Sequence, residues 1–207
     1  MKNQFLSTFF TLFTAFALFS LENPLSAQSE PAFYYHYDRK VMLSEVPAQC
    51  VVAFSGYVTP EKARQVARKV QGMKVGKVYG PARACRYELA GGESWKSVRN
   101  KVLSVPGVHT VFPVYAAPGQ QEVIMSGRII LQGKTMLNHS ETLRKCRELG
   151  LKVEETISMG AEVPPVLVCE IPRGRNPLES ANSLQASGMT LFAHPNFAFR
   201  SEEHTSE

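Results

Sequence analysis

Side chains that could carry catalysis are few and scattered along this sequence. The 18 acidic residues include a single aspartate, Asp38, and the five histidines are at positions 36, 109, 139, 194 and 204. Nucleophilic hydrolysis requires a Ser or Cys beside a His that an acid orients, and the local signature G-x-S-x-G is absent. The zinc motif H-E-x-x-H and the phosphate loop are absent too. We therefore expect no catalytic residue, no metal site, no cofactor site and no enzymatic activity.

The N-terminus has the pattern of an export signal. Lys2 precedes an apolar run from Phe5 to Leu21, and a small-residue site follows at Ser26-Ala27. This order is typical of a secretory signal peptide over residues 1–27, cleaved before Gln28. An uncleaved membrane anchor is the alternative, although the run is short for crossing a bilayer. We expect a secreted or periplasmic protein without stable membrane insertion after cleavage.

Four cysteines give the exported chain a choice between disulfides and buried thiols. They allow three pairings into two bridges. None is in C-x-x-C spacing, which argues against a redox motif or a zinc knuckle. Each lies in an apolar stretch, where a thiol packs as a small hydrophobic group. Disulfides and buried thiols both remain possible, and buried thiols are favoured. The four residues are Cys50, Cys85, Cys146 and Cys169.

The predicted strands and helices follow each other in an order that occurs twice along the chain. After an N-terminal segment, 28–47, the first unit spans 48–117. Its apolar periods, caps and glycine or proline breaks predict strand, helix, strand, strand, helix and strand. The predicted ranges are 49–54, 60–71, 74–80, 83–89, 93–104 and 108–115.

The same order returns in a second unit, 126–200, after a polar linker over 118–125 and before a tail over 201–207. Asn138 or Ser140 is the predicted cap of its first helix, and Gly150 is the predicted stop. The predicted ranges are 127–132, a helix ending at 149, 151–157, 166–171, 177–187 and 189–194.

The repeated order predicts an α+β protein of two tandem ferredoxin-like βαββαβ units. Each unit would be a four-stranded antiparallel sheet with two helices on one face and the other face open. A layer of this size has only a marginal core, so a partner covering the open face would stabilise it. In the alternative arrangement, the two sheets cover each other.

Positive charge is concentrated in the first unit. Residues 48–118 carry 11 Lys or Arg against 3 Glu, whereas residues 126–200 carry 9 against 7. The aromatic RNP pattern of RNA-binding βαββαβ domains is absent, and export also argues against a nucleic-acid partner. The excess of positive charge predicts a solvated face on a helix. Alternatively, it binds an acidic partner or an anionic surface.

Two segments carry a resemblance to a known family. The mature start AFYYHYDRKVMLSEVP (32–47) and the closing phrase AHPNFAFR (193–200), with the βαββαβ units between them, resemble the N-terminal prodomain of secreted bacterial subtilisin-like serine proteases. The resemblance spans nearly all of the mature chain. Within it, the matching positions are Tyr34 to Tyr37 and His194 to Phe199.

The resemblance implies a role as an intramolecular chaperone and protease inhibitor. Such prodomains lay an open sheet face on two enzyme helices and run their C-terminal strand into the substrate cleft. The cleft-facing residues would be Asn196, Phe197, Ala198, Phe199 and Arg200. Alternatively, Phe197 and Phe199 complete the core of the second unit.

In that family a catalytic domain follows the pro-region, whereas this sequence ends at Glu207. We therefore expect a partner protease in trans, a truncated protease precursor whose missing C-terminal domain is the protease, or a remnant reused as a binding module. A peptidase label would be inherited from the missing domain. A cell-envelope binding or scaffold module with no protease partner is the rival from another functional class.

Overall fold

The computed structural model describes residues 32–36, 39–117, 119 and 122–198. Over these residues the protein is α+β, with four α-helices and three antiparallel sheets. The predicted fold class is therefore confirmed at this level. The predicted signal peptide and the predicted tail lie outside the described residues.

The first half contains a two-stranded hairpin and the larger of the two main sheets. Its strands and helices are β1 (Phe33–His36), β2 (Arg39–Met42), β3 (Ser44–Phe54), α1 (Pro60–Lys69), β4 (Met73–Tyr79), β5 (Ala84–Leu89), α2 (Trp95–Leu103), β6 (Val108–Ala116) and β7 (Glu122–Val123). The main sheet has the order β4-β5-β3-β6-β7. It has five strands rather than the predicted four, because Glu122–Val123 pairs with the end of β6.

The second half contains a four-stranded sheet and two helices. Its elements are β8 (Met125–Gly133), α3 (Met136–Glu148), β9 (Lys152–Ile157), β10 (Val166–Glu170), α4 (Pro177–Ala186) and β11 (Thr190–Phe197). The sheet order is β11-β8-β10-β9. The predicted cap of α3 was wrong: Thr135 caps it, and its hydroxyl accepts a bond from the Asn138 amide at 3.3 Å.

Local signals explain where the helices begin and end. Thr59 and Ser94 cap α1 and α2, and Asn176 caps α4, each through a side-chain oxygen that accepts a backbone N–H. These bonds satisfy amides that have no partner within the helix. Gly150 has a φ of 71° just after α3, as a left-handed helix stop requires.

Each main sheet packs its two helices against one face. In the first half, Val66 of α1 and Val102 of α2 meet Val52 and Tyr87 of the sheet in one buried cluster. In the second half, a separate cluster joins the buried sides of α3 and α4 to β8, β10 and β11. Its central members are Ile129, Leu131, Cys146, Leu167, Cys169, Ala181, Leu184 and Ala193.

The prediction that the first sheet leaves its other face open was wrong. A third cluster buries Val51, Ala53, Ala84, Phe112 and Val114, which point away from α1 and α2. The covering groups come from the hairpin region and the second half: Tyr34, Val41, Leu43, Met125, Leu178 and Phe197. Burial of these apolar side chains removes them from water, which favours packing of other parts of the same chain on this face.

Hydrogen bonds to backbone carbonyls reinforce this contact between the halves. The loop between β10 and α4 receives a bond from Arg99 to the Gly174 carbonyl at 2.8 Å. The Gly174 amide donates to the His109 carbonyl at 3.0 Å, and the Thr110 hydroxyl donates to the Arg175 carbonyl at 2.7 Å. The two halves therefore form one folded body over the described residues.

Candidate docking face

The second sheet carries a face that points away from α3 and α4. Alternation along the strands places three rows of paired side chains there. We call this the helix-free face, and it consists of Arg128, Ile130 and Gln132 on β8, Val166, Val168 and Glu170 on β10, Phe192 and His194 on β11, and Glu155 and Ile157 on β9.

The apolar side chains of the helix-free face differ in exposure. Ile130, Val166 and Phe192 have intermediate exposure, and Ile157 at the edge exposes 42% of its surface. Val168 is buried at 6%. A partner that covered these groups would remove apolar surface from water, with a gain of about 25 cal/mol for each Å².

An aromatic row runs along β11 at the border of this face. The Phe192 and His194 rings stack with 5.2 Å between centroids, and His194 and Phe197 stack at 6.1 Å. Phe197 then meets Tyr34 of β1 edge-on at 5.2 Å. His194 and Phe197 both belong to the closing phrase 193–200. The alternation of β11 places His194 on the same face as Phe192.

The segment predicted to enter a protease cleft begins inside the second sheet. Phe197 is the register partner of Met125, and the Ala198 amide donates to the Ile124 carbonyl at 2.8 Å. Asn196, Phe197 and Ala198 are each half-exposed. Of the five predicted cleft residues, Phe199 and Arg200 lie outside the described residues.

Charged side chains gather at the end of the helix-free face that meets the first half. Arg83 donates to Glu154 at 3.0 Å, and Arg128 lies 3.8 Å from the other oxygen of the same carboxylate. His109 Nδ1 lies 3.8 Å from Glu170, while its Nε2 is 2.7 Å from the Ile171 carbonyl. This end therefore binds the two halves together, and the apolar centre is the part available to a partner.

The four cysteines are free thiols in this structure, and all are buried. Burial raises the pKa of Cys50 to about 12 and that of Cys85 to about 11. Such thiols stay protonated at neutral pH and are poor nucleophiles. Cys146 and Cys169 lie together in the core of the second half, where Cys169 lowers the pKa of Cys146 and Cys146 raises that of Cys169.

Metal ligation and membrane spanning find no support in the described ranges. Over residues 32–36, 39–117, 119 and 122–198, no three His, Cys, Asp or Glu side chains are grouped so that they could hold a metal ion. Among the helices of the same ranges, none has the length and apolarity needed to span a bilayer.

The search for relatives identifies no family for the chain, so its own contacts must carry any functional assignment. No protein-family model matches the sequence, and no curated protein matches it significantly.

Proposed function

We propose that this protein is an exported, non-catalytic binding protein for a subtilisin-like serine protease, which it chaperones or inhibits. Two lines of reasoning support the proposal. The first is the resemblance of residues 32–47 and 193–200 to the prodomains of such proteases. The second is the group of partly exposed apolar side chains, Ile130, Val166 and Phe192, on the helix-free face of the second sheet. Neither nucleic acid nor a cofactor has a role in this proposal.

The proposal includes two ferredoxin-like units. Within the first sheet the four long strands have the order β6-β3-β5-β4, and the second sheet has the order β11-β8-β10-β9. When the four long strands of each half are numbered along the chain, both sheets have the strand order 4-1-3-2. Two helices on one face of each sheet also support this assignment.

The helix-free face carries the proposal. In the family that the chain resembles, a bare sheet face lies on two enzyme helices. Among the described residues, the second sheet is the one with such a face, because the first sheet is covered on both sides. Ile130, Val166 and Phe192 would be the apolar contacts, and aromatic groups of this size commonly dominate binding energy.

The C-terminal end of β11 would supply the second contact. Backbone pairing with β8 continues to Ala198, so the segment leaves the sheet close to Phe197. An extended chain that follows this point could pair along the edges of a substrate cleft. Phe199 and Arg200 are then the first residues that could enter the cleft without breaking a described hydrogen bond.

A peptide-hydrolysis assay tests the proposal. It uses secreted subtilisin-like enzymes, including those of the source organism. We expect the protein to slow hydrolysis, and Phe192→Glu on the helix-free face to weaken inhibition at least tenfold. Leu137→Glu is the matched control, because Leu137 is 93% exposed on the N-terminal turn of α3, away from that face. No slowing with any enzyme, or equal effects of the two substitutions, would overturn the proposal.

A second candidate is an envelope scaffold module that binds no protease. The observation that favours it is the buried third cluster, because the protein covers the first sheet with its own residues. Under this candidate Phe197 has a packing role only. Retention of full stability after Phe192→Glu, together with no inhibition by the unmodified protein, would favour the scaffold.

A further inference from the structure

The two cysteines of the second half meet in one core. Cys146 is on α3, where Thr142 and Cys146 are the buried side chains, and Cys169 is on β10. Both cysteines expose 0% of their surface and belong to the same cluster. Helix α3 packs against β8 and β9, the two strands that flank β10, so Cys146 and Cys169 face each other within this core.

The two cysteines of the first half are placed differently. In the register of β3 and β5, Cys50 is opposite Tyr87 and Cys85 is opposite Val52. The two are therefore diagonal neighbours, with about 7 Å between Cβ atoms in such positions. A disulfide needs a Cβ separation of about 4 Å. The Cys85 thiol donates instead to the Arg86 carbonyl at 3.4 Å.

We propose that Cys146 and Cys169 form a disulfide when the protein folds in an oxidising compartment, whereas Cys50 and Cys85 remain thiols. The other pairings would join separate cores, since Cys50 and Cys85 belong to the helix-side cluster of the first half. The bridge would tie α3 to a central strand of the sheet that carries the helix-free face. This proposal does not depend on protease binding.

The reaction requires a disulfide oxidant, either a small-molecule disulfide or a disulfide oxidoreductase. The Cys146 thiolate attacks the oxidant and releases one thiol, and Cys169 then attacks the Cys146 sulfur and releases the second. The two cysteines lose two electrons and two protons, and the oxidant gains them. The neighbouring Cys169 lowers the pKa of Cys146, which suits it as the attacking sulfur. Because both are buried, the exchange occurs before the core closes or during local opening.

Refolding the reduced protein in a buffer of oxidised and reduced glutathione tests the pairing. Free thiols are alkylated in denaturant, and the chain is cleaved after glutamate. We expect the peptides 142–148 and 163–170 to be joined, with a loss of two hydrogen atoms in mass. The peptides that contain Cys50 and Cys85, 46–61 and 62–88, should be alkylated. Four alkylated cysteines, or a bridge between any other pair, would overturn the proposal.

Serine variants provide an independent measurement. Reductant should lower the denaturation midpoint of the unmodified protein and leave that of Cys146→Ser unchanged, since the variant has no bridge to lose. Cys85→Ser is the matched control, because it removes a buried thiol from the other core and should keep its response to reductant. Equal responses of the two variants would contradict the assignment. Should either variant fail to fold, the peptide map of the unmodified protein still decides.

Discussion

The ring of Phe197 packs edge-on against the ring of Tyr34, with 5.2 Å between centroids and an interplanar angle of 63°. Phe197 ends β11 and Tyr34 is on β1, so the contact joins the two ends of the described chain. The Asn182 side chain strengthens the same junction by donating to the Phe33 carbonyl at 2.7 Å. The first and last described strands, β1 and β11, are therefore neighbours in space.

Removing the Phe197 ring should destabilise the protein. We expect Phe197→Ala to lower the free energy of unfolding by about 1–3 kcal/mol, because the ring is only half-buried and a fully buried one would lose more. Urea denaturation measures the change. A double-mutant cycle with Tyr34→Ala should give a coupling of about 0.5–1.5 kcal/mol. Strictly additive effects would show that the two rings do not stabilise each other.

A side chain at Gly127 should disturb the contact between the halves. An added Cβ would lie 3.2 Å from the Ala53 Cβ and 3.2 Å from a ring carbon of His109. We expect Gly127→Val to cost about 1–3 kcal/mol in denaturation experiments, since this packing cannot expand freely. Gly56→Ala is the control, because nothing lies within 4 Å of its added Cβ. Similar losses for both would mean that the halves are not packed as described.

The Glu154 carboxylate should stabilise the same junction by charge. It accepts two contacts from Arg83, at 3.0 and 3.4 Å, and lies near Arg128. We expect Glu154→Gln to cost about 1 kcal/mol at low salt, and less at high salt, because the groups are partly exposed. Glu141→Gln, which breaks an exposed helix pair with Arg144, should change stability by less than about 0.5 kcal/mol. Denaturation of both variants at two salt concentrations tests the difference.

The buried Cys50 thiol should make stability depend on alkaline pH. Burial raises its pKa from 9.0 to about 12, so between these values the unfolded chain releases a proton that the folded protein keeps. Stability should therefore be constant with respect to this group below pH 9 and fall as the pH rises, by at most about 1.4 kcal/mol per pH unit. Urea midpoints between pH 7.5 and 10.5 should decline less steeply for Cys50→Ala. An identical slope in the variant would contradict the assignment.

Local order along the chain was predictable from the sequence. The α1 helix was predicted over 60–71 and is observed over Pro60–Lys69. The α4 helix was predicted over 177–187 and is observed over Pro177–Ala186. Caps, first-turn prolines and apolar periods act over a few residues, so they can be read without knowing the rest of the structure.

Features that depend on distant partners were missed. The two-residue strand β7 has no periodicity of its own and exists because Tyr115 and Ala116 lie beside it. The start of α3 was misplaced because several polar residues could cap it, and the true cap, Thr135, lies two residues after the end of β8. The helix-free face could not be predicted from the sequence either, because its residues come from all four strands of the second sheet.

The sequence by itself determined the order of the long strands and helices within each half, because caps, breaks and apolar periods depend on near neighbours. Only the tertiary structure decided which sheet face stays accessible. Val51 and Phe112 would suit a docking surface as well as Ile130 and Phe192 by pattern alone. The first pair is covered by Met125 and Leu178, and that burial depends on how two distant halves of the chain pack together.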